Sequence, residues 1–138
     1  IYKNGEVVQG IGGGLCQVST TLYNAALLAD LEITERSPHG MPVGYVPLGR
    51  DATVSYGYRT LKFKNNTDGY ILIKGYANGS TLTFEIYGDK VEGKEVKVYS
   101  KVVAHNTADA YRVVYMNGEE VRRDYLGRDR YKSIKTSQ

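Results

Sequence analysis

The single cysteine of the chain, Cys16, closes a run of glycines in "GIGGGLCQVSTTLYNAALLAD" and stands where a helical pattern begins. His39, between Pro38 and Gly40, and Asp51, opening "DATV", follow it. A thiol, an imidazole and a carboxylate in that order match the nucleophile, general base and orienting acid of many cysteine acyl-transfer enzymes, provided folding brings them together. A cysteine in the first turn of a helix lies beside unpaired backbone N–H groups at the positive end of the macrodipole, which favours a thiolate. Glycines before it let a substrate backbone approach, and first-turn N–H groups can hold an oxyanion. Plainer readings stand beside this one. Cys16 could be a buried small hydrophobe, His39 and Asp51 could stabilise turns, and the glycines could serve packing alone. A zinc site from one Cys, one His and one Asp lacks ligand spacing, and no metal is expected. The glycines are not a phosphate loop, because no Gly-Lys-Ser/Thr follows, and no cofactor is expected. One cysteine excludes an internal disulfide. His105, in "VVAHNTAD", ranks below His39.

The elements that must position these groups are partly readable. From Gln17 to Ala29 there is no Gly or Pro, and Val18, Leu22, Ala25 and Ala29 recur at helical spacing; Leu27 and Leu28 widen the apolar surface, so this helix is expected to be largely buried. Asn4-Gly5 in "YKNGEV" predicts a first β-hairpin. "DLEITER" alternates as a strand and stops at Ser37-Pro38. All three prolines then fall in "SPHGMPVGYVPLGRDATV", a long irregular segment of the kind that usually carries function or mobility. Leu61 to Lys64, Tyr70 to Tyr76 and Leu82 to Ile86 predict a three-stranded antiparallel meander, turning at Asn66 to Gly69 and at Asn78-Gly79. Further strands follow in "KEVKVYSKVVAH" and "AYRVVYMNGEEVRRDYL", the latter with a hairpin at Asn117-Gly118, and the final "SIKTSQ" is expected to fray. The expected fold class is α+β: one main buried helix packed on an antiparallel β-sheet, with a β-rich C-terminal extension, divided as residues 1–90 and 91–138.

Composition sets the outer bounds. The chain has 138 residues, 41% hydrophobic and 24% charged, as in ordinary globular chains. No apolar run approaches the roughly 20 residues of a spanning helix. The chain opens at "IYKNGEVVQG" without Met, which reads as a piece of a longer protein. The net charge of +3 includes a C-terminal cluster of Arg122, Arg123, Arg128, Arg130 and Lys132, broken by Asp124 and Asp129. It reads as a solvated face, with attraction to an anionic polymer such as a cell wall as the sharper alternative; nucleic acid is disfavoured, as no recognition motif accompanies it. Thirteen tyrosines without tryptophan suit strands with one wet face.

The stretch "GIGGGLCQVSTTLYNAALLADLEITERSPHGMPVGYVPLGRDATV" resembles the signature of the VanW family, in particular "GGGLCQVSTTLYNA" together with "YVPLGRDATV", over about Gly10 to Asn66. "DAYRVVYMNGEEVRRDYLGRDRYK" is similar to the β-rich ends of many such chains. The resemblance implies a bacterial protein of the cell envelope, extracytoplasmic, exported or membrane-anchored in its parent form. It implies no particular reaction. The family's domains usually begin further upstream, with a Phe-Ser-Phe-Asn-like segment that this chain does not contain. The order Cys on a helix, then His, then Asp also looks like a transglutaminase or papain-like core, although His39 reads as loop where those enzymes place it on a strand.

Two readings of function follow. In the first, Cys16 attacks an amide or ester carbonyl of a peptidoglycan stem peptide or surface protein, with His39 as base and Asp51 orienting it. Gln17 and nearby N–H groups hold the oxyanion, while Gly13, Gly14, Ser19, Thr20, Tyr23 and Tyr45 form the substrate-binding surface; Thr20 and Tyr23 share the Cys16 face of the helix. An unpaired thiol gains an exported chain little unless it reacts. In the second, the domain binds a wall peptide or glycan without catalysis, through Tyr45, Tyr56 and Tyr58, with Cys16 merely packed. The oligomeric state is unreadable from the sequence.

Overall fold

The helical spacing around Cys16 is realised as α1, Gly14–Leu28, in a computed structural model that describes residues 2–9, 14–55 and 57–133, the first stretch by its backbone alone. The described strands are β1 (Tyr2–Gln9), β2 (Glu32–Glu35), β3 (Lys62–Lys64), β4 (Leu72–Asn78), β5 (Thr81–Gly88), β6 (Lys94–Ala104), β7 (Thr107–Met116) and β8 (Glu119–Arg130). They form three antiparallel sheets, ordered β1-β5-β4, β2-β3 and β6-β7-β8, so the chain is α+β and β-rich. No helix among the described residues is long and apolar enough to cross a membrane.

Two expectations are corrected. Asn4-Gly5 makes no turn: β1 runs straight through it, with Asn4 opposite Ile86 and Gly5 opposite Glu85, because its partner is the remote β5 and not its own flank. The meander is also broken. β3 pairs with β2, Ile33 opposite Phe63, while β4 and β5 form a hairpin in another sheet. The intervening turn is closed by Asn65, whose side chain accepts the Thr67 N–H at 3.0 Å and donates to Gly69 O at 2.8 Å. The glycines Gly10, Gly12 and Gly13, Tyr56 and residues 134–138 lie outside the described residues.

α1 is buried as expected, but not only through its apolar residues. Ala25, Ala26 and Ala29 pack with Leu31 and Ile86, flanked by Ile33, Phe63, Ile71 and Phe84. Tyr23 and Leu27 pack with Ala52, flanked by Leu61, Val98 and Leu126. Val18, expected on the inner face, is 37% exposed. The polar residues Gln17, Ser19, Thr20, Thr21 and Asn24 are buried in its stead. The helix ends in a Schellman arrangement: Leu31 N–H reaches Ala26 O and Asp30 N–H reaches Leu27 O, both at 3.0 Å, with Asp30 in the left-handed region at φ 59°. Its last turn holds no basic residue; Arg112 of β7 supplies the cation, donating to Leu31 O at 2.8 Å and Leu27 O at 3.4 Å.

Candidate active site around Cys16, His39 and Asp51

Residues 50–54 follow no regular element, yet the helix grips them. Asn24 donates to Arg50 O at 2.8 Å and accepts from the Arg50 guanidinium at 2.9 Å. Thr20 accepts the Ala52 N–H and donates to Ala52 O, both at 3.0 Å, and Ser19 donates to the same carbonyl at 2.6 Å. Buried hydroxyls and amides on a helix ordinarily cost stability unless paired. Here they are paired with a stretch of backbone that has no sheet partner. The two residues flanking Ala52 are thereby fixed, and both face candidate site groups. The Thr53 hydroxyl lies 3.2 Å from the Cys16 sulfur, whose thiol also has Val54 O as an acceptor at 3.7 Å. Asp51 meets His39: Oδ2 lies 2.6 Å from the ring Nδ1 and accepts the His39 backbone N–H at 2.7 Å. Since Asp51 and Thr53 are two residues apart, their Cα atoms are separated by at most about 7 Å.

The Asp51 carboxylate is 1% exposed and fully engaged. Oδ1 accepts from the Tyr131 phenol and from Arg36 at 3.4 Å, and the Arg36 Nε donates to the Asp51 carbonyl at 2.7 Å. Burial alone raises its pKa, but the hydrogen bonds from Tyr131 and His39 and the Arg36 charge more than offset that, holding Asp51 below the ordinary aspartate range. An ionised carboxylate only accepts. The neutral His39 ring must therefore carry its proton on Nδ1, which leaves the Nε2 lone pair free to act as a base.

The sequence-predicted residues divide accordingly. Cys16 is partly buried at the helix start, and no acidic side chain occupies the first turn to compete for its N–H groups. Gly14 begins the helix, exposed, with open space where a Cβ would stand. Gln17 is 8% exposed. Tyr45, half-buried, hydrogen-bonds the Thr20 side chain and has Cys16 and Asp51 as electrostatic neighbours; burial pushes its phenol above the usual tyrosine range. Ser19, Thr20 and Tyr23 are buried. Both hydroxyls bond Ala52, and Tyr23, 2% exposed, lies with its ring 5.2 Å from the Arg36 guanidinium. Arg36, Thr53, Asp129 and Tyr131 were not predicted; Arg36 donates to Asp129 at 2.7 Å, and nothing in the sequence marked that a residue 80 positions downstream of Asp51 would complete its shell. Tyr58, a candidate contact of the binding reading, is 78% exposed. No group of three or more His, Cys, Asp or Glu among the described residues is placed to hold a metal ion.

The family profile described as "VanW like protein" matches residues 1–87. The chain belongs to the VanW family. Cys16, Arg36, His39 and Asp51 fall inside the VanW match, and Asp129 and Tyr131 beyond it. The chain is 41% identical over 101 residues to the uncharacterized protein YoaR of Bacillus subtilis (strain 168), covering 73% of this chain and 33% of that protein. It is 33% identical over 92 residues to the vancomycin B-type resistance protein VanW of Enterococcus faecalis (strain ATCC 700802 / V583), covering 63% of this chain and 34% of that one. The chain thus spans about a third of the length of these curated VanW relatives. No solved structure matches it.

Proposed function

We propose that this domain is a cysteine acyl-transferase or hydrolase of the bacterial cell envelope, acting on amide or ester carbonyls of peptidoglycan peptides or surface proteins. The observation that carries the reading is the His39 Nδ1 to Asp51 Oδ2 contact of 2.6 Å, on the same short segment whose Thr53 hydroxyl lies 3.2 Å from the Cys16 sulfur. His39 Nε2 takes the Cys16 proton as sulfur attacks the carbonyl carbon, forming the S–C bond. The tetrahedral adduct expels its amine or alkoxide, which receives that proton from His39. Water or a second amine then releases the acyl group from the thioester. First-turn N–H groups, with the Gln17 amide, are the oxyanion donors. The resistance named for the Enterococcus relative is consistent with work at the envelope.

The test is the rate of Cys16 alkylation by iodoacetamide across pH, combined with mass spectrometry for an acyl adduct after incubation with activated acyl esters and stem peptides. Wild type is expected to react readily at about neutral pH and to accumulate a thioester, while His39→Ala slows both by about a hundredfold, within the range a general base supplies. A Cys16 that alkylates at the same rate with and without His39, together with a Cys16→Ser variant that still sediments with purified peptidoglycan, would leave the non-catalytic binding module as the reading.

A further inference from the structure

We infer that Tyr131, outside the stretch that matches the family, is a positioning residue: its phenol fixes the Asp51 carboxylate so that the His39 ring keeps its proton on Nδ1. The inference rests on the acyl-transfer reading for its purpose, though not for its measurement.

The direction of the Tyr131 hydrogen bond is determined by what else the phenol touches. Its oxygen accepts the Gly49 N–H at 2.9 Å, which occupies a lone pair and turns the single O–H proton toward the carboxylates. Asp51 Oδ1 is in hydrogen-bond contact, whereas Asp129 Oδ2 lies at 3.5 Å and is already paired with Arg36 at 2.7 Å. Tyr131 is 7% exposed; burial, then Asp51 itself, push its phenol far above the usual range, so it remains a donor at every physiological pH. With Oδ1 held by Tyr131 and Arg36, Oδ2 is left for both N–H groups of His39. The backbone supports the same placement. Lys132 N–H donates to Gly40 O and Tyr131 N–H to Asn106 O, each at 2.8 Å, so the chain leaving β8 is pinned beside the residue that follows His39. Gly49 stands at φ +88°, a left-handed conformation that aims its N–H at the phenol. The groups that face Asp51 are then His39 and Arg36 from its own loop and the end of β2, Tyr131 and Asp129 from the β8 end, Tyr23 from α1, and Tyr45.

The experiment follows two NMR signals in the full chain: the ring 15N shifts of His39, with His105 as internal reference, and the titration of the Asp51 carboxyl carbon. Wild type is expected to show the Nδ1–H tautomer and an Asp51 titrating below ordinary aspartates. In Tyr131→Phe the ring packing is kept and only the hydroxyl is lost. Asp51 should then titrate at higher pH, and the His39 ring, whose carboxylate partner is no longer held on its Oδ1 side by the phenol, should show a weaker Nδ1–H preference. Tyr125→Phe, which loses a comparable bond to Asp109, should move neither signal. Replacing Tyr131 with 3-fluorotyrosine strengthens the donor and should shift Asp51 further down. Unchanged His39 and Asp51 signals in a folded Tyr131→Phe chain overturn the inference; if that variant does not fold, an unmoved Asp51 in the fluorinated chain does so. Alkylation of Cys16 reads the acyl-transfer proposal separately, because the tautomer is measured whether or not the thiol reacts.

Discussion

Thr20 shows at the scale of one residue why polar side chains line the inner face of α1. It is fully buried, and its single hydroxyl closes two bonds to Ala52, as a strand neighbour's backbone would. Because Ala52 O also takes Ser19, both carbonyl lone pairs are used, while its N–H has Thr20 alone. Thr20→Val has the same shape and no hydroxyl, so it orphans a buried N–H. The expected loss is about 1–3 kcal/mol, read as a lower urea midpoint with an unchanged slope. Thr20→Ser should recover most of it. A Val variant as stable as wild type would mean that water or a shifted backbone satisfies Ala52, and that the helix does not hold the Asp51–Thr53 stretch in place.

Elements were legible where local spacing and tertiary pairing agree. The Asn-Gly pairs illustrate the limit. Asn117-Gly118, at φ 50° and 85°, and Gly79, at 62°, turn hairpins as the sequence predicts, since the flanks of each pair with one another. Asn4-Gly5 carries the same signal and runs extended, because β1 finds a partner some 80 residues away, which no local pattern encodes. Likewise the order Cys16, His39, Asp51 was visible, and so was the helix start, whereas Arg36 and Tyr131 enter through contacts that only the fold creates. Cross-strand packing was equally hidden. Gly75 of β4 lies opposite Phe84 of β5, and a Cβ at Gly75 would stand 2.5 Å from the ring, which packs against the alanine core of α1. Gly75→Val should therefore displace the ring and cost about 1–3 kcal/mol, despite the higher strand propensity of valine. Thermal unfolding measures it; a variant with a raised melting temperature would show that propensity outweighs the packing.

At the scale of the whole molecule, two buried carboxylates tie the C-terminal sheet to the rest. Asp51 takes Tyr131 at one end, and Asp30, just past α1, meets all three strands at the other: Lys94 of β6 at 2.7 Å, Arg112 of β7 at 3.5 Å and Arg122 of β8. A left-handed aspartate in the place where helices favour glycine is explained by these partners. Burial raises the Asp30 pKa, and the bonds from Lys94 and Arg122 outweigh it, leaving the group below the ordinary range; Asp51 is shifted the same way. A carboxylate whose pKa is depressed by folding stabilises the native state in full above its unfolded value of about 3.9, and that contribution disappears as pH falls through the folded value. Asp109, held at about 2 chiefly by the Arg128 hydrogen bonds, follows the same sign. The urea midpoint should thus be flat near neutrality and fall steeply below about pH 4. Asp30→Asn should be less stable than wild type at neutral pH, since three cations lose their common anion, and its acid limb should be shallower. The two curves should converge at the acid end, where wild-type Asp30 is itself protonated. Curves that stay parallel down to about pH 2 would mean that the Asp30 charge does not hold the sheet, and that the apolar contacts of Val98 and Leu126 with the helix carry the docking alone.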